Sequence, residues 1–214
     1  MDINEFRRLP IMCIVRGASL AQIEPLAEAV IAGGLRTIEI TMNTPQAPAL
    51  IRKMKKAAQG RLTIGAGTVL SVKGLREALA AGASFIVTPV LVREVMVYCR
   101  RGKIPVFPGA LTPAEICAAW QQGAAMVKVF PAKFFGPDYF RELKGPFADI
   151  ELLACAGVTA RNLKDYFSCG ASAVSFGARK DWFAKGGCGV IINAARSYLE
   201  AYGRYLKKGG RRAG

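Results

Sequence analysis

The sequence predicts a (β/α)8 TIM barrel, an α/β fold, and three observations carry that reading. Eight short runs of β-branched and apolar residues recur along 214 residues, separated by helix-length stretches. Glycines stand where each helix should stop: Gly33-Gly34, Gly82, Gly102, Gly123 and Gly170. Polar or conformationally special residues gather at the carboxyl ends of the runs, where barrels of this kind do chemistry.

The runs read in order as strands at Cys13–Val15, Thr37–Ile40, Thr63–Ala66, Phe85–Thr88, Val106–Pro108, Met126–Phe130, Leu152–Cys155 and Ala173–Phe176. Near-continuous apolar runs fit strands covered on both faces, as in a parallel sheet. Between them, Leu20, Ile23, Leu26, Ala27 and Val30 repeat with helical period over Leu20–Ile31. Helices are also expected over Leu75–Ala81, Val92–Arg100 and Ala114–Gln121, the last opened by Thr112-Pro113. A final helix over Val190–Leu206 is expected to pack on the barrel. Residues 1–206 thus read as one barrel domain, and 207–214 as a basic flexible tail.

Composition narrows the function. A 52% hydrophobic, 21% charged chain can bury a sizeable core. No apolar run nears the roughly 18 residues of a membrane span, and the charged start Met1-Asp2-Ile3-Asn4-Glu5 lacks a signal-peptide core. The six cysteines are scattered without a CxxC pair; free thiols and a cytoplasmic location are expected. Histidine is absent, which removes Ser-His and Cys-His nucleophile pairs and every His-ligated metal. No metal site is expected. The net charge of +15 is spread in short groups, with no aromatic RNA-binding signature, so no nucleic-acid partner is expected. It suits anionic substrates instead.

Two lone charges in strand-like runs point to chemistry. Lys128 interrupts Met126-Val127-Lys128-Val129-Phe130, and Glu39 interrupts Thr37-Ile38-Glu39-Ile40. A buried charge is costly unless paired, so the two suggest a shared interior site. A structural ion pair is one reading. The other is a lysine whose pKa burial lowers, making it a nucleophile for carbonyl carbon, with a glutamate moving protons. Arg16, just past the first strand, can clamp a carboxylate.

Several segments resemble the 2-keto-3-deoxy-6-phosphogluconate / 4-hydroxy-2-oxoglutarate aldolases, class I lyases on a (β/α)8 barrel. These are Ile38-Glu39-Ile40-Thr41, Ile64-Gly65-Ala66-Gly67-Thr68-Val69, Phe85-Ile86-Val87-Thr88-Pro89, Phe107-Pro108-Gly109, Val127-Lys128-Val129-Phe130-Pro131-Ala132 and Leu143-Lys144-Gly145-Pro146-Phe147. The likeness keeps one order from about residue 9 to 180. It implies Lys128 as the Schiff-base lysine and Glu39 as its acid/base. It implies Thr68, Pro89 and Phe130 around the pyruvyl end, and Gly109 where substrate nears the backbone. The implied substrate is a small 2-keto acid, with no cofactor beyond the lysine imine, and the implied assembly is a homotrimer.

Two places depart from the family pattern. One branch has an arginine four residues after the glutamate, where this chain has Asn43; Arg16 can supply that charge, which resembles the phosphogalactonate-cleaving branch. After the seventh strand the family commonly has Pro-Thr-Gly-Gly, and this chain has Ala154-Cys155-Ala156-Gly157. After the eighth it commonly has Gly-Ser, and here Gly177-Ala178 stands. The family phosphate site therefore maps to Ala156, Gly157, Gly177 and Ala178 in altered form, with Arg179 or Lys180 as possible added charge. Cys155 reads as a small pocket filler. A Schiff-base decarboxylase or dehydratase, and a non-catalytic anion-binding barrel, are the alternatives.

Overall fold

The computed structural model describes residues 1–178 and 187–210. Its strands are β1 (Ile11–Val15), β2 (Thr37–Thr41), β3 (Thr63–Gly67), β4 (Ile86–Val87), β5 (Val106–Phe107), β6 (Gly109–Ala110), β7 (Val127–Val129), β8 (Leu152–Cys155) and β9 (Ala173–Ala178). Every pairing is parallel, and the order runs β5-β4-β3-β2-β1-β9-β8-β7-β6. The two outermost strands, β5 and β6, are one segment of chain on either side of Pro108, so the sheet closes on itself. Proline has no N–H to donate to a ladder, and it breaks the expected fifth strand into two. The Pro108 carbonyl still accepts from Lys128 N at 2.8 Å, which carries the ladder across the break.

The helices are α1 (Ile3–Arg8), α2 (Ile23–Ala32), α3 (Ala47–Ala58), α4 (Val72–Ala80), α5 (Arg93–Arg101), α6 (Pro113–Gln121), α7 (Gly136–Lys144), α8 (Leu163–Ser168) and α9 (Cys188–Lys207). The expected helix over Leu20–Ile31 begins as a 3-10 turn, Leu20–Gln22, before α2. Sequence-encoded caps fix several starts. Thr112 and Glu115 form a reciprocal capping box on α6, and Ser71 accepts from Gly74 N on α4. Gly34, Gly82, Gly123 and Gly170 take positive φ after their helices, as glycine does at no steric cost. After α5 Gly102 is the C-cap as expected, and the left-handed residue is Lys103, one position on.

Alternation along the strands sorts side chains into two cores. Residues pointing outward, such as Cys13, Ile38, Ile40, Val127 and Val174, pack under the helices. Residues pointing inward fill the barrel. Its amino-terminal half is apolar, with Met12, Phe85, Val87, Phe107, Met126, Leu153 and Ala173 closed off by Phe6 of α1. Phe107 meets Phe6 and Phe85 edge-on at centroid distances of 5.7 and 5.6 Å. Each such buried side chain contributes about 1.5–3 kcal/mol.

Alternate glycines of β3 make room inside. A Cβ on Gly65 would overlap the Phe85 ring, and one on Gly67 would overlap the Glu39 carboxyl. Gly67→Ala should therefore lower stability by about 1–3 kcal/mol, the range for overpacking a filled interior. A lower urea midpoint than the parent would show it. Above the apolar plug the interior turns polar, and the site begins there.

Candidate active site

The carboxyl-terminal half of the barrel holds a cavity of about 210 Å³. Inward positions one step above the plug supply its floor: Ile14 on β1, Glu39 on β2, Lys128 on β7, Cys155 on β8 and Ser175 on β9. The loops after the strands supply its rim, with Arg16, Thr68, Pro89, Phe130, Ala156, Gly157 and Val158, joined by Gly177 near the end of β9.

Lys128 and Glu39 are 6% and 1% exposed and line this same cavity, as their lone positions in apolar strands suggested. Burial pushes the Glu39 carboxyl above the usual carboxylate range, with Lys128 and Arg16 opposing it. Its Oε2 is buried and has no hydrogen-bond partner. An unpaired buried carboxyl oxygen is costly, and the residue that carries it lines the cavity.

Lys128 corrects one expectation. Burial is the largest single effect and works to lower its pKa, but the Glu39 charge and Cys155 together outweigh burial and Arg16, and the net shift is upward. Cys155 carries charge only as a thiolate, and its own pKa is raised by burial. Of the effects that raise the Lys128 pKa, the Glu39 charge is the largest. The resting lysine is not a free amine; it becomes one by giving up a proton inside the cavity. The Nζ also lies 5.2 Å from the centroid of the Phe130 ring, a cation–π distance.

At the mouth, Arg16 donates to Asn43 Oδ1 at 2.8 Å and to Thr68 Oγ1 at 3.3 Å. Thr68 holds φ of 56°, uncommon for a non-glycine residue. Thr44 Oγ1 accepts from Gly17 N at 3.0 Å and meets Thr41 Oγ1 at 3.0 Å, tying the loop after β1 to that after β2. The guanidinium is thereby aimed across the cavity mouth.

Other sequence-picked residues divide. Asn43 does not line the cavity; it steadies Arg16 and lines an adjoining groove of about 520 Å³, together with Ala178. Gly109 pairs with Lys128 in register, but a Cβ there would overlap the Pro89 carbonyl, and Gly109 is not in the cavity lining. Its smallness admits the close approach of the Pro89 carbonyl. Ala156, Gly157 and Gly177 reach the cavity rim. Ala156 takes a left-handed φ of 71° and Gly157 one of 89°, with Lys133 packed against Gly157. Arg179 and Lys180 lie outside the described residues.

Ser175, Ile14 and Val158 line the cavity without having been singled out, and Cys155, read as a small pocket filler, lines it too. Period-two alternation from Leu153 and Ala173, both in the plug, points to Cys155 and Ser175 and was the available signal. Val158 is placed by α9: Tyr198 donates to its carbonyl at 2.7 Å and stacks on Phe176 at 4.3 Å.

A lysine and a glutamate sharing a cavity at the carboxyl end of a parallel barrel are the groups from which an imine could be formed and resolved. Comparison with known proteins gives the family. The sequence model of the KDPG and KHG aldolase family matches residues 3–191. A 2-dehydro-3-deoxy-phosphogluconate aldolase of Pseudomonas aeruginosa is 38% identical over 166 residues, 77% of this chain and 74% of that one. A 2-dehydro-3-deoxy-6-phosphogalactonate aldolase of Escherichia coli K12 is 33% identical, covering 80% and 84%. Among solved structures, a KDPG aldolase from Legionella pneumophila, with pyruvate captured at low pH as a covalent carbinolamine, superposes with a TM-score of 0.82 at 25% identity, covering 88% of this chain and 93% of that one. This chain belongs to the KDPG and KHG aldolase family and is an aldolase, a carbon–carbon lyase.

Proposed function

We propose that the protein is a class I, Schiff-base aldolase cleaving 2-dehydro-3-deoxy-6-phosphogluconate or 4-hydroxy-2-oxoglutarate. The products are pyruvate plus glyceraldehyde 3-phosphate or glyoxylate. The observation that carries the reading is the shared burial of Lys128 and Glu39 in one cavity whose mouth holds Arg16. The carbinolamine of the Legionella pneumophila enzyme is the same addition that we assign to Lys128.

The sequence of steps follows from the charges. The substrate carboxylate meets Arg16 and Thr68, and its carbonyl carbon C2 comes to Lys128 Nζ between Pro89 and Phe130. Lys128 passes its proton to Glu39, which desolvation prepares to accept it. The amine adds to C2, and Glu39 returns a proton to the leaving hydroxyl, giving water and an iminium. Glu39, now a carboxylate, takes the C4 hydroxyl proton. The C3–C4 bond breaks, its electrons move into the iminium, and the aldehyde leaves. Glu39 protonates C3 of the enamine, and water releases pyruvate and the free lysine. The amides about Ala156, Gly157, Gly177 and Ala178 take the distal end of the substrate, as nests of backbone N–H groups take anions.

This chemistry runs on side chains alone, with no cofactor and no metal, on a small 2-keto acid in the cytoplasm. We assign residues 1–206 to one barrel domain with a basic tail at 207–214, no nucleic-acid or membrane partner, and a homotrimer as the assembly.

A second reading concerns the epimer. Arg16 braced by Asn43, together with the phosphogalactonate-cleaving relative, favours 2-dehydro-3-deoxy-6-phosphogalactonate as an alternative substrate. Epimer choice rests on contacts worth only a few kcal/mol. The test is pyruvate release from each of the three substrates. Cleavage of at least one supports the assignment, and pyruvate from none overturns it. Arg16→Ala should raise the KM for each substrate about tenfold with a smaller change in kcat, because it removes a charge-assisted contact to the carboxylate. Steady-state kinetics check it, and an unchanged KM would remove Arg16 from the site.

A further inference from the structure

The loop after β8 is held from behind by two helices. Ala156 and Gly157 take left-handed φ values of 71° and 89° in succession, and Ala156, Gly157 and Val158 all line the cavity. Asn162, the residue just before α8, donates from Nδ2 to the Gly157 carbonyl at 3.0 Å. Its Oδ1 accepts from Thr159 N at 2.7 Å and from Thr159 Oγ1 at 3.0 Å. Tyr198 of α9 donates to the next carbonyl, that of Val158, at 2.7 Å. Both loop carbonyls are thus taken up on the helix side.

Peptide planarity carries this over to the N–H groups. The Gly157–Val158 bond is trans, and in a trans peptide the C=O and the following N–H point in opposite directions. The Gly157 carbonyl points to Asn162, which does not line the cavity. The Val158 N–H therefore points away from Asn162, toward the cavity. The Val158 side chain belongs to the core under the helices, so its backbone is what it offers a ligand. The next amide, Thr159 N–H, is already given to Asn162 Oδ1.

We propose that Asn162 is a positioning residue for the distal end of the substrate. By holding the Gly157 carbonyl it aims the Val158 N–H into the cavity, beside the amides of Ala156 and Gly157. Successive amides in a turn form a concavity for an anion, and a phosphate monoester brings three acceptor oxygens to it. Cys155 brings no hydroxyl to this loop, so recognition falls to the backbone. The inference rests on the reading of the protein as a 2-keto acid aldolase, and names phosphorylated aldehydes as the class that its distal end selects.

The test compares two aldehydes in condensation with pyruvate, glyceraldehyde 3-phosphate and unphosphorylated glyceraldehyde. The parent should favour the phosphorylated one in kcat/KM. Asn162→Ala should cut that preference about tenfold, chiefly through KM, as expected for one misaimed hydrogen bond to a charged group. The start of α8 takes no side-chain cap from Asn162, so the helix survives the change. Asn162→Asp keeps an acceptor for Thr159, loses the donor to Gly157, and should lose the same preference. Thr159→Ala loosens the turn but leaves the Gly157 bond, and should keep the parental preference. Exchange of the pyruvate methyl protons in deuterium oxide reports on Lys128 and Glu39 without any aldehyde, and should stay parental in all three variants. A parent without the preference, or an unchanged preference in either Asn162 variant, overturns the proposal. An equal loss in Thr159→Ala or a parallel loss of exchange also overturns it, since either means a loosened loop rather than an aimed amide. A parent with neither exchange nor condensation rejects the aldolase reading itself, a result distinct from all of these.

Discussion

Lys128→Ala is expected to lose aldol cleavage by about four orders of magnitude or more while the barrel stays folded. The size follows from the role. Removing a covalent nucleophile removes the intermediate itself and leaves only binding and residual electrostatics. Retention of fold follows from the packing. Lys128 sits above the apolar plug and takes no part in it, and its strand hydrogen bond from N to the Pro108 carbonyl involves backbone alone. Taking away one buried charge relieves desolvation but deprives Glu39 of its main opposing charge. These effects oppose each other, so a thermal melt should move little beside the change in rate. A pyruvate-release assay with the melting curve checks both, and near-parental turnover would exclude Lys128 as nucleophile.

Glu39→Gln should slow turnover by about 10²–10⁴-fold, the usual range for a general acid/base. It should also change the shape of the pH profile. The Glu39 carboxyl titrates above the ordinary carboxylate range because it is buried. In the parent enzyme, activity should therefore fall on the acid side at a pH higher than a solvent-exposed glutamate would give. The sign follows from the steps: protonated Glu39 cannot accept the C4 hydroxyl proton, so activity is present above its folded pKa and lost below it. In Glu39→Gln that acid limb should vanish along with most of the rate. Measuring kcat over pH in both proteins decides it, and an identical acid limb in the variant would assign the titration to another group.

Much of this was legible in the chain. Glu39 and Lys128 stood out because charge interrupts strands that are otherwise apolar, a conflict between pattern and chemistry that marks function. Arg16 stood out because it follows the first strand directly, and Thr68 through the family resemblance. The fold was legible through its eight β-branched runs, and the one miscount, a fifth strand split at Pro108, comes from the missing proline N–H. The helices α1, α3, α7 and α8 went unassigned. Short amphipathic segments beside prolines, as in α3 and α7, are held by tertiary packing more than by propensity.

The electrostatics were less legible. The pKa of Lys128 depends on how close Glu39 and Cys155 come across the barrel, a relation between strands far apart in sequence. Gly109 illustrates the same limit. Its glycine is needed for the approach of the Pro89 carbonyl, and no local pattern separates that from room for a ligand.

Reductive trapping tests the central claim most directly. The protein is incubated with pyruvate, treated with borohydride and mapped by peptide mass. The account predicts one reduced pyruvyl adduct on Lys128, lost in Lys128→Ala. An adduct on a different lysine, or none in folded protein, would contradict it.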